Sequence, residues 1–185
     1  MSVVPLRQSW EGQCFVPRHL HAAPYVALVL AGEYEECGWY GRLCAKPGDV
    51  LLHNGFDFHL DRFHVRGAEL FNLALDSELS ASFVLGKIDD ADAVVRSAES
   101  DLTEAKERLL GQLAMGRPVS DLDWPELLAR DIRENCEINL AAWARKANMA
   151  AETLSRGFAR VFGVPPSRFR SEWRARQALL QITGG

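Results

Sequence analysis

Residues 138–162 read Ile-Asn-Leu-Ala-Ala-Trp-Ala-Arg-Lys-Ala-Asn-Met-Ala-Ala-Glu-Thr-Leu-Ser-Arg-Gly-Phe-Ala-Arg-Val-Phe, and their periodicity decides how the C-terminal third folds. Asn139 precedes the first periodic run, where its side-chain oxygen can accept a first-turn N–H. This predicts a helix over residues 140–147. Leu140, Ala144 and Ala147 share one face, and Ala144 is small enough for a close helix crossing. Asn148 falls where the chain must turn, and Asn tolerates a left-handed backbone. A second helix is predicted over residues 151–162. Leu154, Phe158 and Val161 follow i, i+4, i+7 and face the core. Glu152, Ser155, Arg156 and Ala159 then lie on the outer side, with Arg160 at its edge.

Working outward, Gly163-Val-Pro-Pro166 ends this helix, and Ser167 is placed to cap another over residues 168–182. Upstream, Asp123-Trp-Pro-Glu126 reads as a helix start, with Asp123 as cap and Pro125 in the first turn. Val94, Leu102, Ala105, Leu109 and Leu113 predict one or two amphipathic helices over residues 90–115, broken by Gly116-Arg-Pro118. Residues 1–88 change period. A buried strand over residues 25–31 is closed by Gly32, and Gly38 and Gly41 bracket a turn at Trp39-Tyr40. Pro47-Gly48-Asp49 and Asn54-Gly55 flank a short strand, and strands follow over residues 69–75 and 82–86. Short strands with frequent turns predict a barrel or sandwich. The fold class is α+β. A β-barrel spans 1–88, a helical connector or dimerisation region 89–128, and an all-α region 129–185.

Charge follows the same division. Residues 130–185 hold ten Lys/Arg against five Asp/Glu, whereas residues 1–129 hold 11 against 20. The asymmetry predicts two tasks in one chain. An outer helix face of short polar side chains and one arginine suits a major groove. Arg168, Arg170, Arg174 and Arg176 suit phosphates. The apolar share of 48% argues against disorder. No apolar run is long enough to span a bilayer, no export signal is read, and the four cysteines lack zinc spacing. Reduced thiols in a cytoplasmic protein are expected.

These residues resemble a known family. Ala144, Asn148, Leu154-Ser155-Arg156, Phe158, Phe162-Gly163 and Pro166 match the spacing of the first helix-turn-helix of AraC-type regulators. Arg174, Ala175 and Ala178 resemble the start of the helix linking that family's two modules. The resemblance implies a cytoplasmic, ligand-responsive transcription regulator without catalytic activity. Its partners would be double-stranded DNA, a small-molecule effector and a second copy in a homodimer. Glu152, Thr153, Ser155, Arg156, Arg160, Arg174 and Arg176 would contact DNA. The chain departs from the family at Ala150, where Ser or Thr usually caps. It also ends at Gly185, where a second helix-turn-helix would begin.

The N-terminal third resembles the cupin-like sensory domain of the same family. His19-x-His21, Gly32, Gly41-x5-Pro47-Gly48-Asp49 and His59 follow the order of the two cupin motifs. Strand alternation puts His19 and His21 on one face. With His59 they could line a ligand pocket, bind a divalent metal, or be structural, and Tyr25 and Trp39 are candidate pocket aromatics. Metal-binding cupins carry a Glu shortly after H-x-H, and Pro24-Tyr25 stand there instead. No cofactor is therefore expected, with a divalent metal in the barrel as the alternative. His53 and His64 read as plain strand or surface histidines. The competing function is a metal-dependent cupin enzyme, a dioxygenase or an isomerase, with a helical tail.

Overall fold

A computed structural model describes residues 4–77, 85–115 and 123–183. Seven strands precede the helices: β1 (Arg7–Trp10), β2 (Phe15–Leu20), β3 (Tyr25–Gly38), β4 (Gly41–Ala45), β5 (Asp49–His53), β6 (Phe58–Ala74) and β7 (Leu85–Lys87). Then come α1 (Ala91–Ala98), α2 (Leu102–Gln112), β8 (Ala114–Met115), α3 (Trp124–Glu134), α4 (Leu140–Lys146), α5 (Ala151–Phe162) and α6 (Pro166–Thr183). The architecture is α+β, with an antiparallel sheet followed by helices. The expected strand over residues 82–86 is seen only from Leu85, and the break at 116–118 lies outside the described residues.

The long strands β3 and β6 pair along most of their length and carry the other strands on either side. β6 takes β1 on its C-terminal half and β2 on its N-terminal half, while β3 takes β5 and β4. Gly32 was expected to close a strand. Instead the strand runs through it, with register shifts between Val29 and Ala31 and between Gly32 and Tyr34. Gly32 has φ 71° and a Cβ there would sit 2.0 Å from the Gly67 carbonyl oxygen, so no other residue fits this bend. The bulge has a consequence for the interior. Tyr25, Ala27 and Val29 point inward before it, and Tyr34 and Glu36 after it. The inward set changes from odd to even numbers.

Three apolar clusters make the layers. The barrel interior is built on Tyr25, Val29, Tyr34, Leu51, Phe63 and Leu70. One outer sheet face, with Val26, Leu28, Val50 and Phe71, is covered by Val94 of α1 and Ala105 and Leu109 of α2. The other, with Cys37, Trp39 and Leu60, is covered by Leu128, Ile132, Leu154, Phe158, Phe162 and Phe169 of α3–α6. Burial of these large apolar side chains holds the layers together, at roughly 1.5–3 kcal/mol for each fully buried one.

Asp123 and Asn139 act as read, each accepting a first-turn N–H, and Asp90 and Asp101 cap α1 and α2 in the same way. Asn148 has φ 53° at the turn between α4 and α5. Ala150 makes no side-chain cap. The last helix starts at Pro166 rather than after Ser167, because proline's fixed φ suits a first helical turn.

Candidate active site in the barrel

Four imidazoles and two carboxyls converge inside the barrel. They are His19, His21, His53 and His59 with Glu36 and Asp61, and all line one cavity of about 50 Å³. β2 and β6 bring His19 opposite His59, and Glu36 on β3 is the cross-strand partner of Asp61 on β6. His53 ends β5 beside Tyr25, with the rings stacked at 4.3 Å. The imidazoles touch one another. The ring centroid of His59 lies 4.3 Å from that of His19, 4.6 Å from His53 and 5.4 Å from His21.

Among the described residues, two groups could hold an ion: His19, His21 and His59, and Glu36, His53 and His59. In each, the ligand atoms lie within 4.8 Å of one another, and His59 belongs to both. His19 Nδ1 lies 2.9 Å from the Pro17 carbonyl oxygen. Donating there fixes the tautomer and leaves Nε2 with a free lone pair. That Nε2 lies 3.1 Å from His21 Nε2. Two nitrogens bound to one ion at about 2.0–2.1 Å, at right-angled to tetrahedral bite, lie about 2.9–3.4 Å apart. The spacing suits two ligands of a common ion, and without an ion the same distance is a hydrogen bond between the two imidazoles. His53 Nε2 lies 3.5 Å from Glu36 Oε2.

The electrostatics fit the same reading. Burial holds all four imidazoles below the ordinary histidine range, with neighbouring charge adding to the effect, and His53 is pushed down to about 3. They are neutral at pH 7, the form that a metal requires. Burial raises Glu36, with Asp61 and Asp57 raising it further, and pushes Asp61 up to about 7. Among the described residues, no lysine or arginine lines the cavity to offset these acids. His59 Nδ1 is buried without a hydrogen bond of good geometry, the Asp57 backbone giving only a slight pull toward the charged form. Neutral imidazoles, acids with no cation and an under-bonded ring nitrogen all fit a divalent ion.

Sequence reasoning found His19, His21, Tyr25 and His59, and the cavity wall includes all four. It missed Glu36 and misread His53, which is 3% exposed within the cluster rather than a plain strand histidine. No carboxylate was expected near the imidazoles. Strict alternation from Tyr25 would have pointed Glu36 outward, and the bulge at Gly32 turns it in. A glycine inside a strand pattern was the available signal. Trp39 does not line the larger cavity. It packs 4.7 Å from Phe169 and 5.2 Å from Trp173, and reaches a smaller cavity of about 20 Å³ behind Glu36, His53 and His59.

The residues assigned to DNA fall in different settings. Glu152 and Arg156 are exposed and 3.8 Å from each other, and Thr153, Ser155 and Arg160 share their helix. Arg174 pairs with Glu137 at 3.3 Å. Arg176 is 7% exposed and hydrogen-bonded to Asp57, so this side chain is used in joining α6 to the barrel.

No family model and no curated protein matches the chain. Solved structures resemble parts of it. Salicylate 1,2-dioxygenase from Pseudaminobacter salicylatoxidans is 20% identical over 36% of this chain and 20% of its own, with TM-score 0.34. A variant of oxalate decarboxylase from Bacillus subtilis is 11% identical over 80% and 29%, with TM-score 0.35. AerE from Microcystis aeruginosa is 16% identical over 45% and 43%, with TM-score 0.40. The chain thus spans less than half the length of each. Two of the three are named as enzymes, and none is named as a regulator. The expectation of a DNA-binding regulator without catalytic activity is corrected. The competing enzyme reading had been set aside for want of a carboxylate beside the histidines, and Glu36 supplies it.

Proposed function

We propose that the barrel is a metal-dependent active site acting on a small molecule by acid–base chemistry, of the isomerase kind. The observation that carries the proposal is the convergence of four neutral imidazoles and two buried carboxyls on one cavity. His19, His21 and His59 would hold the ion, with the Pro17 carbonyl fixing His19 for the purpose. A bound divalent ion would supply Lewis-acid polarisation of a substrate oxygen. The chain's own residues do the rest. Glu36 stands against His53 Nε2, and burial raises its proton affinity, which suits Oε2 to taking up a proton and returning it. Asp61, at about 7, is poised to exchange one. Two carboxyls that can trade protons fit a proton shift between neighbouring atoms of one substrate, which needs no co-reactant. Tyr25 and Tyr34, both buried, close the wall behind the acids and keep water out.

The test is metal content of the purified chain after loading with Mn, Fe, Ni or Zn and removal of free ion. The account expects about one ion per chain in wild type and strong loss in His59→Ala. Wild-type protein that retains no ion, while folded, would overturn the proposal.

A further inference from the structure

The wall of the cavity away from the histidines carries a second pattern. Asn72, on β6, is 3% exposed and lines the cavity. Its amide Nδ2 donates to the Pro5 carbonyl oxygen at 2.8 Å and to Gln8 Oε1 at 2.9 Å. Both amide protons are therefore used, and the amide cannot flip without setting oxygen against two acceptors. Asn72 Oδ1 is left buried with no hydrogen-bond partner. Such an acceptor costs about 1–3 kcal/mol unless something donates to it. The cavity also presents the carboxyls of Asp61 and Glu36 and, among the described residues, no lysine or arginine. Away from the histidines its wall thus offers acceptors and no side-chain cation to pair with a carboxylate ligand, which only a bound ion could then hold. A volume of about 50 Å³ holds a few water-sized groups, so it fits a small molecule or the end of a larger one.

We propose that this cavity recognises a small uncharged or cationic molecule through its N–H or O–H donors, an amine or a polyol, and that its side-chain wall, with no ion bound, discriminates against carboxylates. The inference rests on the reading of the cavity as the active site and adds the class of its substrate. Asn72 Oδ1 takes one donor and Asp61 takes another, which orients the bound group relative to His59 and Glu36. Asn72 is then a specificity-determining residue.

Three probes of similar size separate the possibilities: ethanolamine, glycerol and glycolate. Binding of each to the full-length chain, stripped of metal with a chelator, is followed by ligand-observed nuclear magnetic resonance, and metal uptake is measured on a parallel sample. The account expects ethanolamine or glycerol to bind at least about 10-fold more tightly than glycolate. Asn72→Leu should weaken the donor probe by about 5- to 100-fold, the range for leaving a buried partner unpaired. Asp61→Asn serves if Asn72→Leu does not fold, and should weaken ethanolamine more than glycerol. Glycolate binding as tightly as the donor probes, no binding of any probe, or donor binding unchanged in both variants would overturn the inference. Donor-selective binding to protein that takes up no metal would sustain it and remove the metal-dependent reading. Metal uptake with no donor binding would do the reverse.

Discussion

His59 is the residue on which the two candidate ligand groups overlap, since it belongs to the set with His19 and His21 and to the set with Glu36 and His53. His59→Ala is therefore expected to lose more metal affinity than either His19→Ala or His53→Ala, measured by competition with a chelating dye. Equal losses in all three would mean that no single imidazole is shared. The same cluster sets a pH dependence. Imidazoles held below their ordinary values stay neutral in the folded state while the unfolded chain takes up protons, so stability falls as pH drops below about 6.5. His53, at about 3, keeps this effect going to low pH, and half-buried His19 and His21 add less. Glu36 and Asp61 act in the opposite sense. Their folded values are raised, so their contribution is present at low pH and is lost as pH rises from about 4, the unfolded value, toward about 7 for Asp61. Four imidazoles against two carboxyls give a net fall, and the melting temperature of metal-free protein should drop between about pH 6.5 and 4.5. A rise over that interval would contradict the assignment. At this scale the sequence was half legible. H-x-H and His59 stand out by spacing. Glu36 does not, because its inward direction depends on where the bulge at Gly32 shifts the register, and His53 does not, because its direction follows from pairing across from Tyr25.

At the scale of the element, the helices were the most readable part. Leu154 and Phe158 bury as their spacing requires, and Asn139, Asn148 and Gly163 start, turn and end α4 and α5. Phe162 is fully buried and Val161 only partly, so the core stripe is wider than i, i+4, i+7 alone suggested. The strands were legible as strands, but β3 was read only as far as residue 31 because Gly32 looked like its end. Ala150 remains the weak start of α5, with extended backbone and no side-chain cap. Ala150→Ser supplies the acceptor, and the expected gain is about 0.5–2 kcal/mol in chemical denaturation. No gain would mean that the first-turn N–H groups of α5 already have adequate partners.

At the scale of the whole molecule, the barrel and the C-terminal helices are locked together by buried charge as well as by apolar packing. Arg18 Nε donates to Glu172 at 2.9 Å, and its guanidinium stacks 5.1 Å from the Trp39 ring and 5.3 Å from that of Phe169. Arg62 donates to the carbonyls of Arg160 and Val161 at the end of α5. None of this docking could be read from the sequence, because each pair joins residues about a hundred or more positions apart. The charge asymmetry was read as a sign of two separate tasks, yet among the C-terminal arginines Arg176 bonds to Asp57 and Arg133 lies 4.8 Å from the Tyr40 ring, so part of that charge serves the interface. Glu172→Ala leaves Arg18 buried without its carboxylate and should cost about 3–5 kcal/mol. Arg168→Ala removes the exposed partner of the same carboxylate and should cost about 0–1 kcal/mol. Equal costs, by thermal or urea unfolding, would show that the interface does not depend on the buried pair.

The most direct measurement is X-ray absorption at the metal edge of the loaded chain, beside the His59→Ala variant. The account expects imidazole scattering from histidine nitrogens at about 2.0–2.2 Å from the ion, with that signal lost or sharply reduced in the variant. A first shell of oxygen alone, or the same imidazole signal with His59 removed, would contradict a histidine-held ion in the barrel.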